Sequence, residues 1–344
     1  RASPRRTMTE SADPAQPARA SARSTGSPLP FHDPVDGGAT DPTVIRDRAT
    51  GEWVMLYTQR RPSSAEPGVA WVHGSRIGVA RSADGLHWSY DGVLDGLDTP
   101  EDGPGPHTHW APEVIWDGER YRMYLTHIRG VPERWAGHAR HIRELVSGNL
   151  RDWTFVRELQ LSSDRVIDAC VAHCPDGLWR LWWKDEADGS TTWVASTPDL
   201  GGEWTVDGRA VGGRAHEGPN VFPLGGHWGM LTDEWRGMAV WRSADAVTWE
   251  RQGGADAVVL GQPGTHPEDR TVGRHGDVVV EGEEATVFYF THPWWDGSEV
   301  EDAPGDDSRL SAVHAARITV GDGVLSCERG CSGGPFECFG KVTV

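Results

Sequence analysis

From Phe31 onward the apolar and polar positions fall into a phrase that returns five times. A glycine-bearing turn leads into a short aromatic-rich run. It reads Gly51 to Tyr57, Gly118 to Leu125, Asp176 to Trp183, Gly225 to Leu231 and Gly282 to Phe290. A second phrase follows the first four copies: a strand-like run, a Ser-containing turn, then Trp. It covers Arg81 to Trp88, Ser147 to Trp153, Ser196 to Trp204 and Arg242 to Trp249. The fifth unit has strand-like Leu310 to Val320 and a Gly-Asp-Gly turn at 321–323 instead. Alternation inside the runs and Gly, Asp and Ser between them predict short antiparallel strands. The unit recurs every 45 to 70 residues or so, roughly the length of a four-stranded propeller blade. The pattern predicts an all-β, five-bladed β-propeller over residues 31–344. A sandwich of unrelated hairpins would not keep two phrases in constant order. Residues 1–30, rich in Arg, Ser, Ala and Pro, are expected to lack order. Met8 is a candidate native start.

Composition narrows the partners. The 344 residues carry a net charge of -18, which repels nucleic-acid phosphates and anionic lipid and suits a neutral substrate. No apolar run is long enough to span a bilayer, and no secretory leader is expected. Gly 43 and Pro 23 fit many turns, and most of the 18 Trp are expected to pack sheets, although a Trp face also stacks on sugar rings. Five cysteines cannot all pair within the chain. Cys327, Cys331 and Cys338 lack the spacing of a zinc site and read as free thiols, which points to a reducing, cytoplasmic compartment.

The innermost strand of a propeller blade lines the central tunnel and precedes the aromatic strand. Five segments occupy that place: Thr40 to Val44, His109 to Val114, Val166 to Val171, His216 to Phe222 and Arg274 to Val280. Each has a polar residue at or just before an apolar run, so these residues are expected to converge at one tunnel mouth. An acid inside the apolar Val166 to Val171 run is costly unless it serves a purpose.

These segments resemble glycoside hydrolase family 43 and its five-bladed relatives, blade by blade, over nearly the whole chain after residue 31. The matching motifs are Asp41-Pro42, Trp110-Ala111-Pro112-Glu113, Asp168, Glu217-Gly218-Pro219 and His275. The resemblance implies an inverting glycosidase, with Asp41 as the base that activates water and Glu217 as the acid that protonates the leaving oxygen. Asp168 would raise the pKa of that acid and help orient the sugar. Some five-bladed relatives carry a histidine as the acid, which leaves His216 as the alternative to Glu217. The resemblance also implies that His275 can hold a structural Ca²⁺ in the central tunnel; no other cofactor is expected. Trp110 is a candidate sugar platform, and Arg236 and Lys184 are candidates for binding hydroxyls. The Val131 to Arg143 insertion is a candidate pocket rim.

Three other activities suit the same scaffold. A non-catalytic carbohydrate-binding propeller would not need the three acids. A glycoside phosphorylase would need a basic cluster, for which only Arg236, His216 and Lys184 stand out. A retaining fructan-type enzyme usually has Asn before its first Asp-Pro, where this chain has Thr40. The sugar, the anomeric configuration and the oligomeric state are not legible.

Overall fold

The structure, a computed structural model, describes residues 27–297 and 307–329. Five antiparallel sheets follow one another along the chain. The first contains β1 (Ser27–Pro28), β2 (Ala39–Arg46), β3 (Trp53–Gln59), β4 (Arg76–Ser82) and β5 (His87–Val93). The second contains β6 (Thr108–Trp116), β7 (Tyr121–Ile128), β8 (His141–Ser147) and β9 (Thr154–Glu158). The third is β10 (Val166–His173), β11 (Trp179–Asp185), β12 (Thr191–Thr197) and β13 (Thr205–Val211). The fourth is β14 (Glu217–Leu224), β15 (His227–Asp233), β16 (Met238–Ser243) and β17 (Glu250–Arg251). The fifth is β18 (Arg274–Glu281), β19 (Glu284–Thr291), β20 (Ala312–Gly321) and β21 (Val324–Glu328). Each sheet runs from inside to outside in chain order, with β1 added at the rim of the first, beyond β5. The innermost strands β2, β6, β10, β14 and β18 neighbour one another in a closed ring. This is the expected five-bladed propeller.

The aromatic phrase is the second strand of every blade. β3 is buried along its whole length because neighbouring blades cover both of its faces. The apolar clusters sit between blades. Val54, Leu56 and Ile77 meet Val114, Met123 and Leu125 between the first and second. Trp53, Met55 and Ala80 meet Phe288, Phe290 and Val313 between the fifth and first. Burying each large apolar side chain in such a layer contributes roughly 1.5–3 kcal/mol. The serine of the second phrase organises the turn. Ser82 Oγ accepts from Gly85 N–H at 2.7 Å, and Ser243 Oγ accepts from Ala246 N–H at 2.9 Å. In the third blade that hydroxyl comes from Thr197 rather than Ser196: its Oγ1 accepts from Asp199 N–H at 3.3 Å.

The ring closes through the chain that precedes β2. Phe31 and Val313 exchange both backbone hydrogen bonds, at 2.8 and 2.9 Å, and Gly38 bridges Ser311. The sheet begins earlier than residue 31, because Ser27 and Pro28 pair with Trp88 and His87. Residues 1–26, including Met8, lie outside the described residues, as do Cys331 and Cys338. Cys170 and Cys174 are buried thiols outside any disulfide. Among the described residues no helix is long and apolar enough to cross a membrane.

Candidate active site

One local device repeated five times builds the site. Every innermost strand loses register with its neighbour at the same place: Thr40/Thr43, Trp110/Glu113, Ile167/Cys170, Glu217/Asn220 and Arg274/Asp277. Within each break one residue has a left-handed backbone: Asp41 at φ 47°, Ala111 at 42°, Asp168 at 59°, Gly218 at 55° and His275 at 28°. A bulge of this kind re-aims side chains, and a non-glycine residue in it stores strain of about 1–3 kcal/mol. Here it directs the bulge residue or the one before it into a common mouth. In the fourth blade the bulge itself must be glycine. A Cβ on Gly218 would lie 2.8 Å from Cγ of the His275 ring. The acid of that blade is therefore one residue earlier, at Glu217.

Two residues past the bulge, in four of the five blades, the side chain does something else. Glu113 Oε1 accepts from Val171 N–H at 2.9 Å, and Cys170 Sγ from Val221 N–H at 3.2 Å. Asn220 Oδ1 accepts from Val278 N–H at 3.0 Å, and Asp277 Oδ2 from Val44 N–H at 2.7 Å. Each bond ties one blade to the next, so these side chains form a belt below the mouth. Burial and the nearby Asp277 push the Glu113 carboxyl up to about 8.

The mouth opens into a cavity of about 690 Å³. Asp41, Asp168, Glu217, Trp110, Lys184 and His275 all line it. Glu217 is held by Lys184 Nζ at 3.0 Å and by the Trp235 indole N–H at 2.9 Å. Asp168 Oδ2 accepts from Gly218 N–H at 3.1 Å. Asp41 accepts from Thr40 Oγ1 at 3.0 Å and faces Arg60 at 3.5 Å. His275 Nδ1 lies 3.5 Å from Asp41 and 3.9 Å from Asp168, between the two acids.

Charge sorts the acids. Burial pushes Asp168 up to about 7; the pull of His275 and Lys184 offsets the repulsion of Glu217 and Asp41 but not the burial. Burial also pushes Glu217 upward, but the Lys184 ammonium overcomes it and, with His275 and the Trp235 N–H, holds Glu217 down at about 2. Burial opposes charging of His275, yet the surrounding carboxylates raise its pKa overall. So of these two carboxyls Asp168 is the one whose surroundings favour the proton, and Glu217 the one whose surroundings favour the charge. The expectation of a raised pKa at Glu217 is not met in the ligand-free protein.

Two candidates are not brought to the cavity. The His216 ring is buried behind it, bonded to Thr192 Oγ1 at 2.8 Å and to the Arg214 carbonyl at 2.8 Å. Arg236 turns outward, donating to Glu234 at 2.6 Å and to the Asp256 carbonyl; its neighbour Trp235 lines the cavity instead. His275 does not fit a Ca²⁺ ligand set. Calcium takes roughly six to eight oxygen donors, whereas this imidazole is charge-paired with Asp41 and Asp168.

The sequence did not single out Arg60, Arg274, Trp71 or Trp295, which also line the cavity. Arg60 and Trp71 lie in the β3–β4 loop, where no repeat signal marks them. Arg140 and Trp135 come from the insertion expected to form a rim, and they do line the cavity. Arg140 pairs with Glu186 at 2.9 Å and lies over the Trp110 ring at 5.2 Å. Trp110 donates its N–H to the Val72 carbonyl at 2.7 Å, which fixes the indole face.

The profile of a family described as a probable glycosyl hydrolase domain, related to family 43, matches residues 24–237. No curated protein matches the sequence. Among solved structures, a thermostable family-43 glycoside hydrolase superposes with a TM-score of 0.62 at 19% identity, covering 89% of this chain and 99% of its own. An exo-1,5-α-L-arabinanase from a bovine ruminal metagenomic library gives 0.61 at 14%, covering 85% and 97%. A family-43 β-1,3-galactosidase solved with galactodeoxynojirimycin gives 0.62 at 15%, covering 85% and 94%. At such identities the likeness is one of fold.

Proposed function

This chain belongs to the family of probable glycosyl hydrolase domains related to family 43, and from that premise we propose that it hydrolyses a small neutral glycoside with inversion. The observation that carries this reading is the gathering of Asp41, Asp168 and Glu217 on one cavity by three equivalent strand bulges. Asp41 takes a proton from water as the water oxygen bonds the anomeric carbon. Glu217 gives a proton to the departing glycosidic oxygen as its bond to that carbon breaks. The products are a free sugar and an alcohol, and the proton on Asp41 returns through solvent to Asp168. Asp168 holds the proton in the free enzyme. A sugar that engages Lys184 weakens its grip on Glu217 and lets the proton pass to the acid. Acids and cations alternate around the cavity, with Asp41, Asp168, Glu186 and Glu217 among Arg60, Arg140, Lys184 and Arg274.

A screen of aryl glycosides, with the released sugar followed by NMR, tests the reading directly. The first-formed anomer should be inverted. A sugar-bound structure should place the Asp41 and Glu217 carboxyls about 6.5–9.5 Å apart, room for one water. Retention, or a separation near 5 Å, would move the reading to the covalent route. A second reading is phosphorolysis, which the cavity cations Arg60, Arg140 and Arg274 favour. Cleavage that depends on inorganic phosphate and releases a sugar phosphate would establish it. A non-catalytic sugar-binding propeller would bind in the same screen and release nothing.

A further inference from the structure

A second cluster of titratable side chains lies beside the cavity wall. His109 on β6 and His127 on β7 are direct partners across the antiparallel ladder. Their ring centroids are 5.5 Å apart. Asp98, from the loop between β5 and β6, reaches over both. Its Oδ1 lies 2.9 Å from His109 Nε2 and 3.4 Å from His127 Nε2. One ligand atom from each of the three residues falls within 4.8 Å of the other two.

We propose that Asp98, His109 and His127 bind a divalent transition metal of the zinc class. The donor types fit, because imidazole nitrogen and carboxylate oxygen at about 2.0–2.2 Å are zinc's ligands. At such bond lengths tetrahedral donors stand about 3.3 Å apart, close to the two separations from Asp98. The second observation is His127 Nε2 itself. The residue is 2% exposed, its Nε2 faces the cluster, and the nearest acceptor, Asp98 Oδ1 at 3.4 Å, does not meet it in hydrogen-bond geometry. An unpaired buried nitrogen costs about 1–3 kcal/mol unless something fills its lone pair or takes its proton. Two neighbours are already committed and are not ligands. His107 accepts from Gly130 N–H through Nδ1 and contacts the Gly103 carbonyl through Nε2. Asp102 is forked to Arg143 at 2.6 and 2.7 Å. The half-exposed Asp98 side chain gives an entry path and leaves the fourth position to water. The ion would clamp the β5–β6 loop onto the second blade, one residue from Trp110. It would therefore act on the shape of the cavity wall and not on the reacting atoms.

The test uses the full chain, stripped with a chelator and titrated with zinc chloride by calorimetry. One equivalent should bind, and the melting temperature should rise with zinc. Asp98→Asn and His109→Gln should each weaken binding at least tenfold. Asp98→Asn changes an exposed side chain, so it remains informative even if His109→Gln does not fold. His275→Gln should bind zinc as the parent does. Absence of binding to the parent would overturn the proposal, as would unchanged affinity in Asp98→Asn or loss of binding in His275→Gln. None of these readouts depends on glycoside cleavage.

Discussion

Asp168 and Glu113 are both buried carboxyls on innermost strands, and burial pushes both upward, to about 7 and about 8. They differ by two positions in the blade repeat. Asp168 occupies the bulge, with a left-handed backbone and a side chain on the cavity. Glu113 lies two residues past its own bulge, and its side chain caps a backbone N–H of the next blade. His275 and Asp277 repeat the contrast in the fifth blade: the first lines the cavity and the second caps Val44 N–H. Burial alone therefore does not distinguish a reactive acid from a structural one. What separates them is the partner. Mouth acids face mobile protons, Lys184, Arg60 and His275. Belt acids face fixed amides that have no other acceptor.

Removing the mouth acids should break function and spare the fold. Asp41→Asn and Glu217→Gln should each lower turnover by roughly 10²–10⁴-fold with little change in melting temperature. Glu217→Gln should recover on aryl glycosides with good leaving groups, and Asp41→Asn should not. Gly218→Ala tests the bulge itself. With a Cβ 2.8 Å from the His275 ring and a φ of 55°, it should displace both neighbours and cost on the order of 10²-fold in turnover. Removing a belt acid should do the reverse. Asp277→Ala strands Val44 N–H and the Asn220 amide, so urea unfolding should show a loss of about 1–3 kcal/mol for each buried group left unpaired.

The remaining tests are of pH. Once the proton has passed to Glu217 in the sugar complex, Asp168 is the like charge beside it; Asp168→Asn removes that charge, so the alkaline limb of the kcat profile should move to lower pH. The last test concerns Glu113, whose effect is confined to stability. Its carboxyl holds a proton up to about 8 in the folded chain, against the ordinary 4.5 when unfolded. Its contribution to stability is therefore complete below pH 4.5 and falls as pH rises through that window. Glu113→Gln keeps the neutral form and should flatten this part of the stability curve, measured by denaturant unfolding at several pH values.

The architecture was legible because a propeller repeats its instructions. Each aromatic strand is covered by two blades, so five copies of one apolar phrase appear in order, and the Ser or Asp-Gly turns between them are local chemistry. The three acids were legible because each stands in a short motif at the start of an innermost strand. Arg60, Trp71 and Trp295 were not, because they come from connections with no period to read. The choice between His216 and Glu217 was open for a related reason. Adjacent strand residues point to opposite faces, and only the position of the bulge at Gly218 decides which of them meets the cavity.

By itself the sequence determined the number of blades, the order of the strands and the residue types available at the tunnel mouth, since these depend on period and on turns a few residues long. The tertiary structure alone decided how the Asp168 and Glu217 carboxyls come to differ. Lys184 is 33 residues from Glu217 along the chain, yet its ammonium stands 3.0 Å away and draws the pKa of that carboxyl down, while burial raises that of Asp168. It also decided that His109 and His127, from neighbouring strands, meet Asp98 from a loop at one point. Protonation and ligation depend on distances of a few ångströms between strands, and a linear pattern does not encode those distances.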